Sequence, residues 1–84
     1  MKLKALLNEA VRFHVYNYGA DQTLFKASAN SPEEAVDKAR VGLADYGYDK
    51  SKLENVVIKD DGEYGTFIKF PDAHISIEFG EGYY

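Results

Sequence analysis

The sequence predicts an α+β fold in two layers. An antiparallel sheet of four to five strands carries one main helix, over about Ser31–Tyr46, packed on one face, in the order (α)ββαβββ. Three observations point there. Residues 11–18 (VRFHVYNY) and 74–79 (HISIEF) alternate apolar and polar positions with the period of a strand. Ser31-Pro32-Glu33-Glu34 is a helix start. Turn chemistry at Gly19-Ala20-Asp21, Asp60-Asp61-Gly62 and Pro71-Asp72-Ala73 separates the extended segments closely enough for hairpins.

Taken in order, residues 2–10 (KLKALLNEA) set Leu3, Leu6, Leu7 and Ala10 at helical spacing, with an extended start from Leu3 to Leu7 as the alternative. In the next segment Val11, Phe13 and Val15 point one way, and Arg12, His14, Tyr16 and Tyr18 the other. Residues 22–29 (QTLFKASA) complete a hairpin, with Phe25, Ala27 and Ala29 on one face. In the helix, Ser31 is placed to accept the N–H three residues on, and Pro32 occupies the position where a missing donor costs nothing. Ala35, Val36, Ala39, Leu43 and Tyr46 form its apolar stripe, Gly42 permits a close approach to the sheet, and Gly47 stops it. Residues 48–54 read as a polar loop. Residues 55–59, with Val56 and Ile58 on one face, then 64–70 and 74–79, form an antiparallel meander. The tail GEGYY is edge-packed or unpacked. Alternation rather than continuous apolarity means that one sheet face is covered and the other is wet. The first hairpin could join either edge of the meander.

Length and composition bound the function. With 84 residues there is room for one domain, 1–84, and a single core. Such a domain buries about 60–65% of the surface its unfolded chain exposes, which leaves little space for a cofactor compartment or a substrate cleft. Hydrophobic residues make up 45% of the chain and no cysteine is present, so the core carries stability without disulfides or thiolates. The expectations are no cofactor, no metal, no catalytic residues, no enzymatic activity, no membrane segment and a cytoplasmic setting. His14 and His74 lack partners at ligand spacing. Asp60-Asp61-Gly62-Glu63 lacks the alternation of a calcium loop and reads as a turn. No phosphate-cradling glycine motif and no nucleophile elbow occurs.

Charge and tyrosine content carry the remaining signal. The net charge is −4. Residues 1–42 hold six basic and five acidic groups, whereas residues 43–84 hold four basic and nine acidic ones. That asymmetry either keeps a small domain soluble or meets a basic surface on a protein partner, and it disfavours direct nucleic-acid binding. Tyr16, Tyr18 and Phe67 could stand on the open face as base-stacking rings, but no basic patch is expected to flank them, the net charge is wrong and the RNA-recognition signature is missing. Seven tyrosines are many for this length, and they serve either as interface anchors or as cover for a wet sheet face. Asp45, Asp49, Glu54, Asp60, Asp61, Glu63, Asp72, Glu78 and Glu81 could spread negative charge over one side, as DNA phosphates do. The candidate partner-binding residues are Asp60, Asp61, Glu63 and Tyr64 at the hairpin, with Asp45, Tyr48 and Asp49 after the helix.

In size, acidity, lack of cysteine and α+β layout, the whole chain resembles the small acidic accessory proteins of phages and mobile elements, of which anti-CRISPR and anti-restriction inhibitors are a functional class. The resemblance rests on no shared motif and carries over no residue. It implies a stoichiometric inhibitor that binds a host nuclease or surveillance complex, with DNA mimicry as one route. The expected function is a non-enzymatic protein-binding module. The alternative is a self-associating structural or scaffold protein, pairing through sheet edges, for which a homodimer is the smallest form.

Overall fold

In a computed structural model the described residues are 10–60, 62 and 65–80. They form strands β1 (Val11–Asn17) and β2 (Gln22–Ala29), helix α1 (Pro32–Asp45), a 3-10 turn (Lys50–Leu53), strands β3 (Val57–Asp60) and β4 (Thr66–Phe70), a second 3-10 turn (Pro71–Ala73) and strand β5 (Ile75–Phe79). The strands make one sheet in the order β2-β1-β5-β4-β3, with every neighbouring pair antiparallel. The first hairpin therefore joins the meander at β5, its last strand. Two layers, one sheet and one principal helix are as expected. The readings of residues 2–9 and of the tail 81–84 lie outside the described residues.

Cross-strand register explains the core. Phe25, Val15, Ile77, Ile68 and Ile58 form one row across the sheet, and Ala27, Phe13, Phe79 and Thr66 another on the same face. Helix α1 lays Ala35, Val36, Ala39 and Leu43 over these rows, and all four are buried. Alanine at two of the four positions brings the helix close. Gly42 brings it closer still, since a Cβ there would stand 2.5 Å from Phe25 Cζ. The Ser31 hydroxyl accepts the Glu34 N–H at 3.1 Å. Glu34 reaches back one residue further than a capping box requires, and its carboxylate accepts the Asn30 N–H at 2.5 Å.

Three sequence readings are corrected. Tyr46 does not belong to the buried stripe. It is 57% exposed, because α1 ends at Asp45 and the ring lies flat on Phe25 at the sheet margin, with its hydroxyl donating to the Leu24 carbonyl at 2.6 Å. Residues 48–54 are not simply a polar loop, since the 3-10 turn plugs Leu53 into the core. The Arg40 guanidinium fixes that turn by donating to the Leu53 carbonyl at 3.0 Å while lying over the Phe70 ring. Gly65 lies outside β4, which starts at Thr66, and residue 64 is outside the described residues. Gly65, with φ +130°, supports the approach to β4, where a Cβ would meet the Phe79 carbonyl oxygen at 2.1 Å. The register keeps Phe25, Ala27 and Ala29 on one face as expected, and β2 also contains a bulge. Val15 pairs with Phe25 and Tyr16 with Thr23, so Leu24 is the extra residue.

Candidate functional site

The candidates after the helix fall together in space, though most of them have local work. Asp45 is the last residue of α1 and is exposed. Tyr48 is half-buried against the core, and its hydroxyl accepts the Asn17 side-chain N–H at 2.7 Å, tying the segment after the helix to the end of β1. Asp49 caps the 3-10 turn by accepting the Ser51 N–H at 3.0 Å. That backbone N–H, then the Ser51 hydroxyl, hold the Asp49 carboxyl below its usual range, and Lys52 adds to the effect.

The hairpin candidates are separate from these. Asp60 ends β3, and its carboxylate accepts the Gly62 N–H at 3.0 Å, the ordinary work of a turn aspartate. Asp61, Glu63 and Tyr64 lie outside the described residues. The sheet positions of Asp60 and Asn17 differ by three strand gaps and by four residues of register, about 19 Å at strand spacing. Asp60 therefore does not join Tyr48 in one patch.

Among the described residues the acidic ones do not gather on one side either. Glu78 stands on the sheet face away from the helix, with its carboxylate on His14 Nε2, whereas Asp72 accepts from the Asn55 side chain at the second 3-10 turn. The two histidines are four residues apart in register, about 13 Å along the strands, although β1 and β5 are neighbours. Among the described residues no group of three or more metal-ligating side chains occurs.

What the geometry does assemble is a ridge along the outside of α1. Glu33, Asp37, Val41 and Asp45 follow one another at spacings of four, so they lie in one row, and all four are exposed. Val41 is 66% exposed. Lys38 Nζ donates to the Ser28 carbonyl at 2.7 Å on one flank. On the other, Arg40 Nε is held at the Leu53 carbonyl while its Nη1 stands 3.9 Å from Asp37 of the ridge. Beside the ridge, Val41, Ala44 and Leu53 line an open groove between α1 and the 3-10 turn, with Arg40, Asp45, Lys50 and Glu54 at its margin. Of the sequence candidates only Asp45 belongs to this surface. The fourfold spacing of Glu33, Asp37 and Asp45 was readable in the sequence, and Val41 was the signal that interrupted it.

No protein-family model fits the chain, and neither a curated protein nor a solved structure matches it.

Proposed function

We propose that the protein is a non-enzymatic protein-binding module that uses the outer face of α1 and the groove beside it. The carrying observation is Val41, the most exposed of the large apolar side chains among the described residues, set in a row of carboxylates of which Asp37 has Arg40 beside it. An apolar anchor within a charged surround suits a partner that brings a small apolar knob on a basic rim. Asp37 and Asp45 steer, Val41 and Ala44 give the contact, and Tyr48 and Asp49 hold the segment that closes the groove. A host complex that processes nucleic acid carries such basic surfaces, so the sharper form of the reading is a phage-type acidic inhibitor of the anti-CRISPR or anti-restriction kind that occupies a phosphate-binding groove.

The test is a comparison of captured proteins. Wild type and Asp37→Lys/Asp45→Lys are passed through the same bacterial lysate at low and high salt. A stoichiometric partner held by the wild type, weakened by salt and lost by the double variant supports the reading. An identical set of proteins on both rules the ridge out.

The second reading, self-association, is favoured by the edge strand β3. Among the described residues it has a neighbour on one side only, and it exposes Val57 and Ile58. Sedimentation at micromolar concentration separates the two. A salt-resistant oligomer broken by Ile58→Lys belongs to the second reading, and a monomer to the first.

A further inference from the structure

The hydrogen bonds inside the sheet decide which backbone groups of β3 face outward. The Gly80 N–H donates to the Arg12 carbonyl and the Tyr18 N–H to the His74 carbonyl, each at 3.0 Å. The register of β1 and β5 sets Arg12 opposite Gly80 and Tyr18 opposite His74, so even-numbered residues form the hydrogen-bonded pairs there. Ile75, Ile77 and Phe79 therefore turn their backbone groups to Phe70, Ile68 and Thr66 of β4. By the same alternation Phe67 and Lys69 bond Lys59 and Val57 of β3. Ile58 and Asp60 are left with N–H and C=O groups that point out of the sheet, and among the described residues no strand lies on that side. Val56, two residues before Ile58, continues the alternation.

The side chains select one occupant for this edge, a second copy of the chain. All four residues of β3 are exposed. Ile58 stands on the helix side beside buried Ile68, beyond the cover of α1. In an antiparallel pair of copies the two-fold axis runs through the sheet, both helices lie on one side, and each residue meets one of equal parity. Centred on Ile58, the pair sets Ile58 against the second copy's Ile58, Val57 against Lys59 and Val56 against Asp60. Every outward backbone group from Val56 to Asp60 then finds a partner, and the two bare isoleucines cover each other. No like charges stand opposite. Centred on Lys59, the two ammonium groups would face each other. Centred on Val57, Asp60 would meet Glu54, the carboxylate that ends the 3-10 turn.

We propose that two copies of this chain pair through β3, antiparallel and centred on Ile58, so that their sheets become one. The inference rests on self-association as the reading of the β3 edge, and adds its register and its residues. It leaves the ridge of α1 uncovered, because β3 is the strand farthest from the helix. A contact built on one short strand falls below the roughly 1,200 Å² of a stable interface, so the pair is reversible and its population rises with concentration. Its attraction is backbone bonding and apolar contact, so added salt does not dissolve it.

The experiment is sedimentation velocity of the full chain from about 5 to about 500 µM, at low and high salt, with amide hydrogen exchange read by NMR at both ends of that range. The expected result is a sedimentation coefficient that climbs towards that of a dimer in either salt. On concentration the Val56, Ile58 and Asp60 amides slow by about threefold or more, whereas the Val57 and Lys59 amides, bonded to β4, are slow throughout. Ile58→Pro removes an N–H that β4 does not use, and Ile58→Lys puts two charges together at the axis. Each weakens association by about tenfold or more. Far-ultraviolet circular dichroism checks folding, and if Ile58→Pro fails to fold, Ile58→Lys carries the test. No rise in sedimentation up to 500 µM overturns the inference and self-association together. An assembly that a folded variant leaves undisturbed overturns pairing at β3 while self-association stands. Slowing of Val56 and Ile58 without Asp60, or of Ile58 and Asp60 without Val56, overturns the register, since those patterns belong to pairs centred on Val57 and on Lys59.

Discussion

Ile68 and Ile58 face each other across the β4–β3 pair, on the same side of the sheet. One is fully buried and the other is 47% exposed. Their chemistry is the same, so the difference belongs to the layer above them. A helix with its side chains is about 10–12 Å across, whereas five strands span about 19 Å between outer axes. A single helix over β2, β1 and β5 cannot also roof β3. Beyond the helix, Leu53 is buried from the 3-10 turn, and the Arg40 guanidinium that pins this turn lies over Phe70 of β4. The sheet is therefore held on one side by packing and on the other by its backbone ladder. What a sheet position contributes depends on how far it lies from the helix axis, even when register and residue type agree.

Alanine at the two isoleucines tests this directly. Ile68→Ala is expected to destabilise by about 2–5 kcal/mol, and Ile58→Ala by less than about 1 kcal/mol, in urea unfolding. Equal losses would mean that something covers β3 as well. Gly65→Ala marks the limit of the comparison on the bare side. The residue sits at φ +130° with the Phe79 carbonyl in the way, so a loss of about 2 kcal/mol or more in the same assay is expected although no core side chain is touched. On the covered side, Ser31→Ala removes the acceptor for the Glu34 N–H and should cost about 1 kcal/mol, with Ser31→Asp close to wild type. The smallest effect belongs to Asp49. Its carboxyl is held below the ordinary range when folded, so its contribution is present above the unfolded value near 3.9 and is lost as pH falls through the folded one. Asp49→Asn should flatten the acid limb of the stability profile slightly and leave neutral pH almost unchanged. An unaltered acid limb would show that Asp49 titrates as it does in the unfolded chain.

The parts of the fold that were legible in the sequence are those set by local chemistry. The Ser31-Pro32 start, the alternation around Phe13 and Val15, and the close approach at Gly42 each follow from a few neighbouring residues. The junction of β1 with β5 did not, because nothing near either strand distinguishes one edge of the meander from the other. Tyr46 was misplaced for a related reason, since helical spacing continues past the residue where the helix ends. At the candidate site, Tyr48, Asp49 and Asp60 were chosen for their residue types, and the hydrogen bonds that occupy them are made to backbone and side chains whose positions only the folded chain sets.

The bulge at Leu24 has a consequence for growth. It breaks the regular spacing of β2, and Lys26 follows two residues later, so the outer side of that strand is a poor template for another chain. Of the described strands, β3 alone offers a regular outer side. Copies that joined there would meet two-fold, like to like, and each would have spent the one regular side that the described strands offer. Such an assembly terminates at a pair and cannot propagate into a fibre.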